Sequence, residues 1–431
     1  MSCIERSKIK LRPHQKKAVK YILDNRTNGL LLIHPPGSGK TLTAVTISQC
    51  FLDKFPNRKV IFIGPANLLD NFKKELKAYG VFDQKHYKFY SFQKFLQIEL
   101  EERDKICKGN MMVVDEVHNL RSLKFYQENQ GKRSKVVSRC SKLAEKRILL
   151  TATPFVNDLS DFIPIVNYLY GRDLLTKKSQ ANEIKKLIPL LKGKIDFIDV
   201  PEESKKDYPE EEEHYIRIKM DKDYENDYCQ IIKGYEIKGD LFSNPESFYH
   251  AHRRAVNKIG KGRTYFSEKT EKAVKIIKNK KTIIFSNWLD FGLKPIKEIL
   301  DKNNITSQYF SGEMNIREKN KIIKEFNENK FQVLIISRSG MEGLDLKEVR
   351  NVILMDPVWN YSGINQIKGR AIRYKSHSKL PKSERKVDVY YMILETSRKD
   401  CKSGDTVVYN VVKEKKKNTL MLERILKRIS I

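Results

Sequence analysis

The sequence has no long apolar run. Nothing in it approaches the roughly 18 consecutive apolar residues that a membrane-crossing helix needs, so no membrane partner is expected. Residues 1–11 lack the hydrophobic segment of a secretory leader. Cysteine is scarce: Cys3, Cys50, Cys107, Cys140, Cys229 and Cys401 show no metal-ligand spacing, and the expectation is reduced thiols in an intracellular protein. The eight histidines form no zinc pattern either. Acidic residues are outnumbered, 54 Asp and Glu against 84 Lys and Arg, for a formal net charge of +30. Such a field implies a polyanionic partner, most simply nucleic acid. Solvated lysine-rich faces would give the same total, so charge alone does not decide.

What is present is ample material for large cores. The chain has 431 residues, 40% hydrophobic and 32% charged, which suggests about two or three globular domains. The stretch that organises it is His34-Pro35-Pro36-Gly37-Ser38-Gly39-Lys40-Thr41. It follows Leu30-Leu31-Leu32-Ile33, which reads as a buried strand, and precedes Leu42 to Ile47, which reads as a helix start. A strand, a glycine-bearing turn and a helix N-terminus make a phosphate cradle, with N–H groups pointing inward and the helix dipole favouring anions. Lys40 would reach the outer phosphates of ATP and the Thr41 hydroxyl would ligate Mg²⁺. The strict motif places glycine where His34 stands. Upstream, Gln15 either reads an adenine edge with its donor and acceptor or is an exposed polar residue.

Met111-Met112-Val113-Val114-Asp115-Glu116-Val117-His118 is the second decisive stretch, a buried strand ending in two carboxylates. Hydrolysis of a phosphoanhydride needs Mg²⁺ and an oriented water. Asp115 would hold the metal and Glu116 would position or deprotonate the water. His118 either couples this site to Thr151-Ala152-Thr153 or is a polar loop residue. Further strands are read at Lys59 to Ile63, Phe89 to Phe92 and Arg147 to Leu150, with basic, helical sequence over 121–147. Alternation of strand and helix argues a parallel, doubly wound α/β sheet.

Residues 155–270 break the rhythm and read as a connector with a helical insertion. They hold an acidic run, Glu210 to Glu213, and a basic cluster, His252 to Lys258, that either touches phosphates or forms a solvated face. The rhythm resumes with strands at Lys281 to Ser286, Ile305 to Phe310, Phe331 to Ile336, Asn351 to Met355 and 387–394. This second α/β unit lacks its own cradle but carries Gln366-Ile367-Lys368-Gly369-Arg370-Ala371-Ile372-Arg373. Arg370 and Arg373, three apart, are expected on one helix face, where they would stabilise γ-phosphate charge. The expected division is 1–165, 166–270, 271–396 and a tail, 397–431, that packs on the second unit or binds a partner.

The ordered set PPGSGKT, DEVH, TATP, SGMEGLDL and QIKGRAIR resembles that of the superfamily 2 helicases and translocases. Asp356-Pro357-Val358-Trp359-Asn360 and Gly369 to His377 are similar to the viral branch that holds poxvirus nucleoside triphosphatase I and the early transcription factor helicase subunit, relatives of the Swi/Snf ATPases. The resemblance implies two RecA-like parallel-sheet domains with ATP·Mg²⁺ between them. Gly37, Gly39, Lys40, Thr41, Asp115, Glu116, Gly343, Asp345, Gln366, Arg370 and Arg373 would form the nucleotide site. Pro65, Asn67, Thr151, Thr153, Ser286 and Ser337 would lie at nucleic-acid or coupling motifs. It implies a monomeric, nucleic-acid-dependent ATPase, moving on DNA or RNA in viral transcription, in the virion or the host cytoplasm. The alternative is a transcription factor that binds DNA and viral RNA polymerase and uses hydrolysis as a release switch. A phosphate-loop kinase would need neither the arginine-bearing second unit nor the charge.

Overall fold

Side chains alternate between the two faces of a strand, and both faces of these strands are apolar. A sheet built from them needs cover on both sides. The computed structural model supplies it twice over. It describes residues 2–24, 27–120, 128–152, 162–175, 184–199, 205–237, 250–261, 263–310, 314–337, 344–358 and 361–431. Two units result, Met1–Glu203 with Asn418–Ile431, and Ser204–Lys417.

In the first unit the strands are β1 (Gly29–Ile33), β2 (Val60–Gly64), β3 (Tyr87–Ser91), β4 (Met111–Val114), β5 (Lys146–Thr151) and β6 (Ile195–Phe197). They form one sheet in the order β3-β2-β4-β5-β1-β6, parallel throughout. Leu31, Ile33, Ile61, Ile63, Met112, Val114 and Leu149 enter one core with Phe92, Val137 and Phe162. Their neighbours Leu30, Leu32, Val60, Phe62, Met111, Val113 and Leu150 enter the other, with Val19, Val45 and Phe72.

The second unit repeats the plan. Its strands are β7 (Glu210–Lys219), the antiparallel pair β8 (Lys258–Lys261) and β9 (Arg263–Phe266), then β10 (Thr282–Phe285), β11 (Ser307–Phe310), β12 (Val333–Ile336), β13 (Asn351–Leu354) and β14 (Lys386–Glu395). The main sheet runs β11-β12-β10-β13-β14-β7, again all parallel. The α/β reading of two doubly wound parallel sheets therefore holds.

Residues 166–270 do not form a separate connector. Up to Glu203 they belong to the first unit, where β6 adds a sixth strand beside β1. From Ser204 they belong to the second, where the acidic run opens the edge strand β7, paired with β14 along its whole length. The final helix, Gly404–Ile429, buries Val408 and Val412 in the second unit's core, and Leu426 lies in a core of the first.

The cysteines correct the sequence reading. All six are paired, Cys3 with Cys50, Cys107 with Cys140 and Cys229 with Cys401. Partners stand 47, 33 and 172 residues apart. Tertiary packing brings them together, which local spacing cannot report. Among the described residues no helix is long and apolar enough to cross a membrane.

Candidate nucleotide site

The phosphate loop hangs from the C-terminal end of β1. Gly37 and Gly39 have φ of 80° and 85°, in the left-handed region that a side chain disfavours. These two turns bring the chain back to start the helix Lys40–Lys54, with Gly39 at its N-cap. Internal bonds hold the loop: Ser38 Oγ donates to Pro35 O at 2.7 Å and Thr43 Oγ1 to Gly39 O at 3.1 Å. Thr41, Pro35 and Gly37 lie at or near the surface.

The carboxylates of Asp115 and Glu116 face this loop. Lys40 Nζ lies 3.5 Å from Asp115 Oδ1 and 3.8 Å from Glu116 Oε1. Asp115 is 4% exposed. Burial pushes its carboxyl up, against the pull of Lys40 and of the Glu116 N–H, which donates to Oδ1 at 2.9 Å. Glu116 has φ of 49°, a strained conformation for a non-glycine residue and one that clusters at functional sites. His118 Nδ1 lies 3.0 Å from Thr151 Oγ1 and 3.3 Å from Glu116 Oε2, so it does link the acid pair to the end of β5. Thr153 falls outside the described residues.

Two residues beside or within the loop behave differently from expectation: Gln15, on the helix Pro13–Leu23, and His34. Gln15 is 2% exposed. Its Nε2 donates to Gly39 O at 2.9 Å and its Oε1 accepts the Arg12 N–H at 2.8 Å. It braces the loop and is not an exposed polar residue, and its amide keeps one N–H and one lone pair beyond these two bonds. His34 is wholly buried, with Nε2 2.8 Å from Asp196 Oδ2. Its imidazole faces the interior, so only its backbone belongs to the cradle. Asp196 lies on β6 with no motif around it, and sequence reasoning missed it.

In the second unit, the helix Tyr361–Ala371 carries Gln366 and Arg370. Arg373 lies beyond the helix, so the two arginines do not share a helix face. Past the helix end Ser376 Oγ accepts the Arg373 N–H at 3.3 Å, with Arg373 O at 2.9 Å and Ala371 O at 3.2 Å as acceptors for its own proton. Arg373 Nε donates to Gly369 O at 2.8 Å, and NH1 lies 3.5 Å from Asp345. Burial lowers the pKa of Arg373, opposed by Asp345. Gly343 falls outside the described residues. Lys368, between the motif's glutamine and arginines, is buried against β7, 2.5 Å from Glu211 and 3.0 Å from Glu213. Burial alone would raise Glu213, but Lys368 and the hydroxyls of Tyr215 and Tyr391 outweigh it and bring its pKa down to about 2.

Within the basic cluster His252 and Arg253 are buried, Arg254 is exposed and Lys258 is partly exposed. Arg253 is buried and donates to Pro357 O at 3.2 Å. Arg253 and Arg254 both lie over the Trp288 ring. Asn257 Nδ2 donates to Asp356 Oδ1 at 2.5 Å, and Ser286 Oγ to Asp356 Oδ2.

Three family models match: "Type III restriction enzyme, res subunit" over residues 8–156, "SNF2-related domain" over 90–284 and "Helicase conserved C-terminal domain" over 268–375. An Acanthamoeba polyphaga mimivirus protein assigned as an ATP-dependent RNA helicase is 33% identical over 418 residues, covering 89% of this chain and 88% of its own length. This chain belongs to the superfamily 2 helicases. As a member of that superfamily it is an ATP hydrolase. The nucleoside triphosphatase I of Melanoplus sanguinipes entomopoxvirus matches this helicase at 26% identity, over 94% of the chain and 76% of the viral protein. Among solved structures, the Sulfolobus solfataricus SWI2/SNF2 ATPase core in complex with dsDNA aligns over 90% of the helicase and 89% of its own chain, at 20% identity and a TM-score of 0.42.

Proposed function

We propose that the protein is a nucleic-acid-stimulated ATPase that moves along its polymer. The observation that carries this reading is the placement of Lys40, Asp115 and Glu116 at one glycine-bearing loop, on a helicase-family chain with a net charge of +30. Lys40 binds the outer phosphates of ATP. Glu116 orients the attacking water and takes its proton. Asp115 and Thr41 fit an Mg²⁺ ion: a buried carboxylate faced by one lysine 3.5 Å away suits a second cation, and a hydroxyl opens the adjoining helix. When bound, Mg²⁺ would neutralise charge on the phosphate oxygens. The main chain of residues 34–39 would cradle the phosphates, braced by Gln15.

Gln366, Arg370 and Arg373, with Asp345 and Gly343, are the second unit's candidates for answering charge that develops in the transition state. The track is DNA or RNA, held by its phosphates, since no base-reading module is visible in the sequence. The similarity to poxviral and mimiviral proteins supports a role in viral transcription, in the infected-cell cytoplasm or the virion, with the viral RNA polymerase as a partner and the enzyme acting as a monomer.

The test is Mg²⁺-dependent ATP hydrolysis, alone and with single-stranded DNA, double-stranded DNA and RNA, across a salt series. Stimulation by one polymer that fades with salt, as phosphate contacts require, supports the motor and names its track. Hydrolysis indifferent to every polymer contradicts it.

A further inference from the structure

The loop that carries Lys40 begins with a residue whose side chain never reaches the loop surface. His34 is 0% and Asp196 1% exposed, and the ring Nε2 lies 2.8 Å from Asp196 Oδ2. A carboxylate only accepts, so this contact puts the proton on Nε2. The other ring nitrogen, Nδ1, is buried with no hydrogen-bond partner among the described residues, so Asp196 alone orients the imidazole through a hydrogen bond. The His34 backbone N–H donates to Thr151 O on β5 at 3.2 Å. The base of the loop is thus slung between the strands on either side of β1.

Two contacts carry this fixation outward. The His14 ring meets the His34 ring edge-on at 5.8 Å, and His14 Nε2 lies 3.1 Å from Ser38 O, inside the loop. Asp196 sits on a three-residue strand that is clamped on both sides. It pairs with β1 on one side. On the other, Phe197 N–H donates to Ser430 Oγ at 2.8 Å and Ile431 N–H to Ile195 O at 2.9 Å.

We infer that Asp196 and His34 form a positioning pair for the phosphate loop, a function assigned to neither residue by the motif, which has glycine at the first position. Neither side chain touches ATP. The pair fixes where the loop's main-chain N–H groups and Lys40 stand before ATP arrives. It holds the ground state and the transition state alike, so its loss raises KM for ATP and spares kcat. A pair that served folding alone would lower Tm and leave KM unchanged. The inference rests on the nucleotide-site reading of this loop.

The experiment uses the full chain in four forms: wild type, Asp196→Asn, His34→Leu and His34→Gln. Asn keeps the volume of Asp and loses its charge, so it is the variant that best preserves the fold. Gln places an amide donor near the position of Nε2. Kd for a fluorescent ATP analogue, steady-state KM and kcat, and Tm are measured on each. Loss of a charge-assisted hydrogen bond is expected to raise Kd and KM about tenfold in Asp196→Asn and His34→Leu. In both, kcat stays within about threefold, since the chemistry is untouched. His34→Gln is expected to recover most of the affinity. Unchanged Kd and KM in Asp196→Asn, whatever happens to Tm, overturn the inference, and so does a fall in kcat alone. If wild type itself neither binds nor hydrolyses ATP, the nucleotide reading fails instead, and the two failures are told apart.

Discussion

Replacing Gly39 by alanine tests the cradle directly. Its φ is +85°, and an added Cβ would stand 2.4 Å from Gln15 Nε2, the atom that donates to Gly39 O. Left-handed backbone costs a residue with a side chain about 1–2 kcal/mol. Displacing the Gln15 amide forfeits a hydrogen bond worth about 0.5–1.5 kcal/mol. Together these come to about 1.5–3.5 kcal/mol, or roughly ten- to several-hundredfold in an equilibrium or rate. Pro36 and Gly37 are exposed, so the loop can shift locally without global unfolding. The cost should therefore fall on ATP handling more than on Tm. The assay is kcat/KM for ATP beside thermal melting. Gly131→Ala is the control: nothing lies within 4 Å of its Cβ, it is helical, and the change should raise stability by up to about 1 kcal/mol. The double variant Gly39→Ala/Gln15→Ala removes the collision and keeps the backbone strain, so it should recover part of the loss. A Gly39→Ala enzyme with kcat/KM within about twofold of wild type would refute the reasoning, because both costs exceed that ratio.

Lys40→Ala and Glu116→Gln should each lower turnover by about 10²–10⁴-fold while melting close to wild type; steady-state hydrolysis near wild type in either would remove the site assignment. Lys368→Met strips the partner from Glu211 and Glu213, 2.5 and 3.0 Å away, at a cost of about 1–2 kcal/mol given that both acids are partly solvated. Because Arg370 lies on the same helix, kcat should fall with Tm, and an unchanged kcat at lowered Tm would count against any link to the arginines. Lys281 has its pKa lowered to about 8 by burial, below the ordinary lysine value near 10.4. Between those values the unfolded chain binds more protons, so this group makes stability rise with pH across that window; Lys281→Met should melt higher than wild type at pH 7, with the gap closing towards pH 10. Thiol titration of the denatured, unreduced protein should find no free cysteine, and reduction should lower stability by on the order of 4 kcal/mol for each closed loop; six reactive thiols would restore the sequence expectation.

The parts of the site that could be read from the sequence are those whose chemistry is contiguous. The phosphate loop, its strand and its helix share one short segment, and a carboxylate pair closing an apolar run announces itself. The buried strands were legible because short apolar runs bounded by turn residues fit a sheet covered on both faces. Helix ends were less so. Nothing local marks Ala371 as the last helical residue; Ser376, five positions on, folds back over that end. The acidic run at Glu210–Glu213 has loop composition, yet pairing with β14 and ion pairs to Lys368 and Lys386 make it a strand.

What stayed hidden shares one property: the partners are far apart in sequence and each is ordinary alone. His34 and Asp196 are separated by 162 positions, Glu213 and Lys368 by 155, Cys229 and Cys401 by 172. A histidine at the head of a phosphate loop looks like a variation of the motif until its hydrogen-bond partner is known. The partner lies on a three-residue strand, too short for any periodicity to register. Yet a buried ring N–H needs an acceptor, and for His34 Nε2 that acceptor is Asp196 on the neighbouring strand. The sequence therefore poses a question at His34 that only the sixth strand answers. The same logic applies to Lys368, whose position inside an arginine motif makes it look like part of the phosphate machinery, whereas its burial against two glutamates makes it the anchor of the helix that carries Arg370. In both places the motif names the residues proposed to meet the nucleotide, and a long-range pair holds the neighbouring chain.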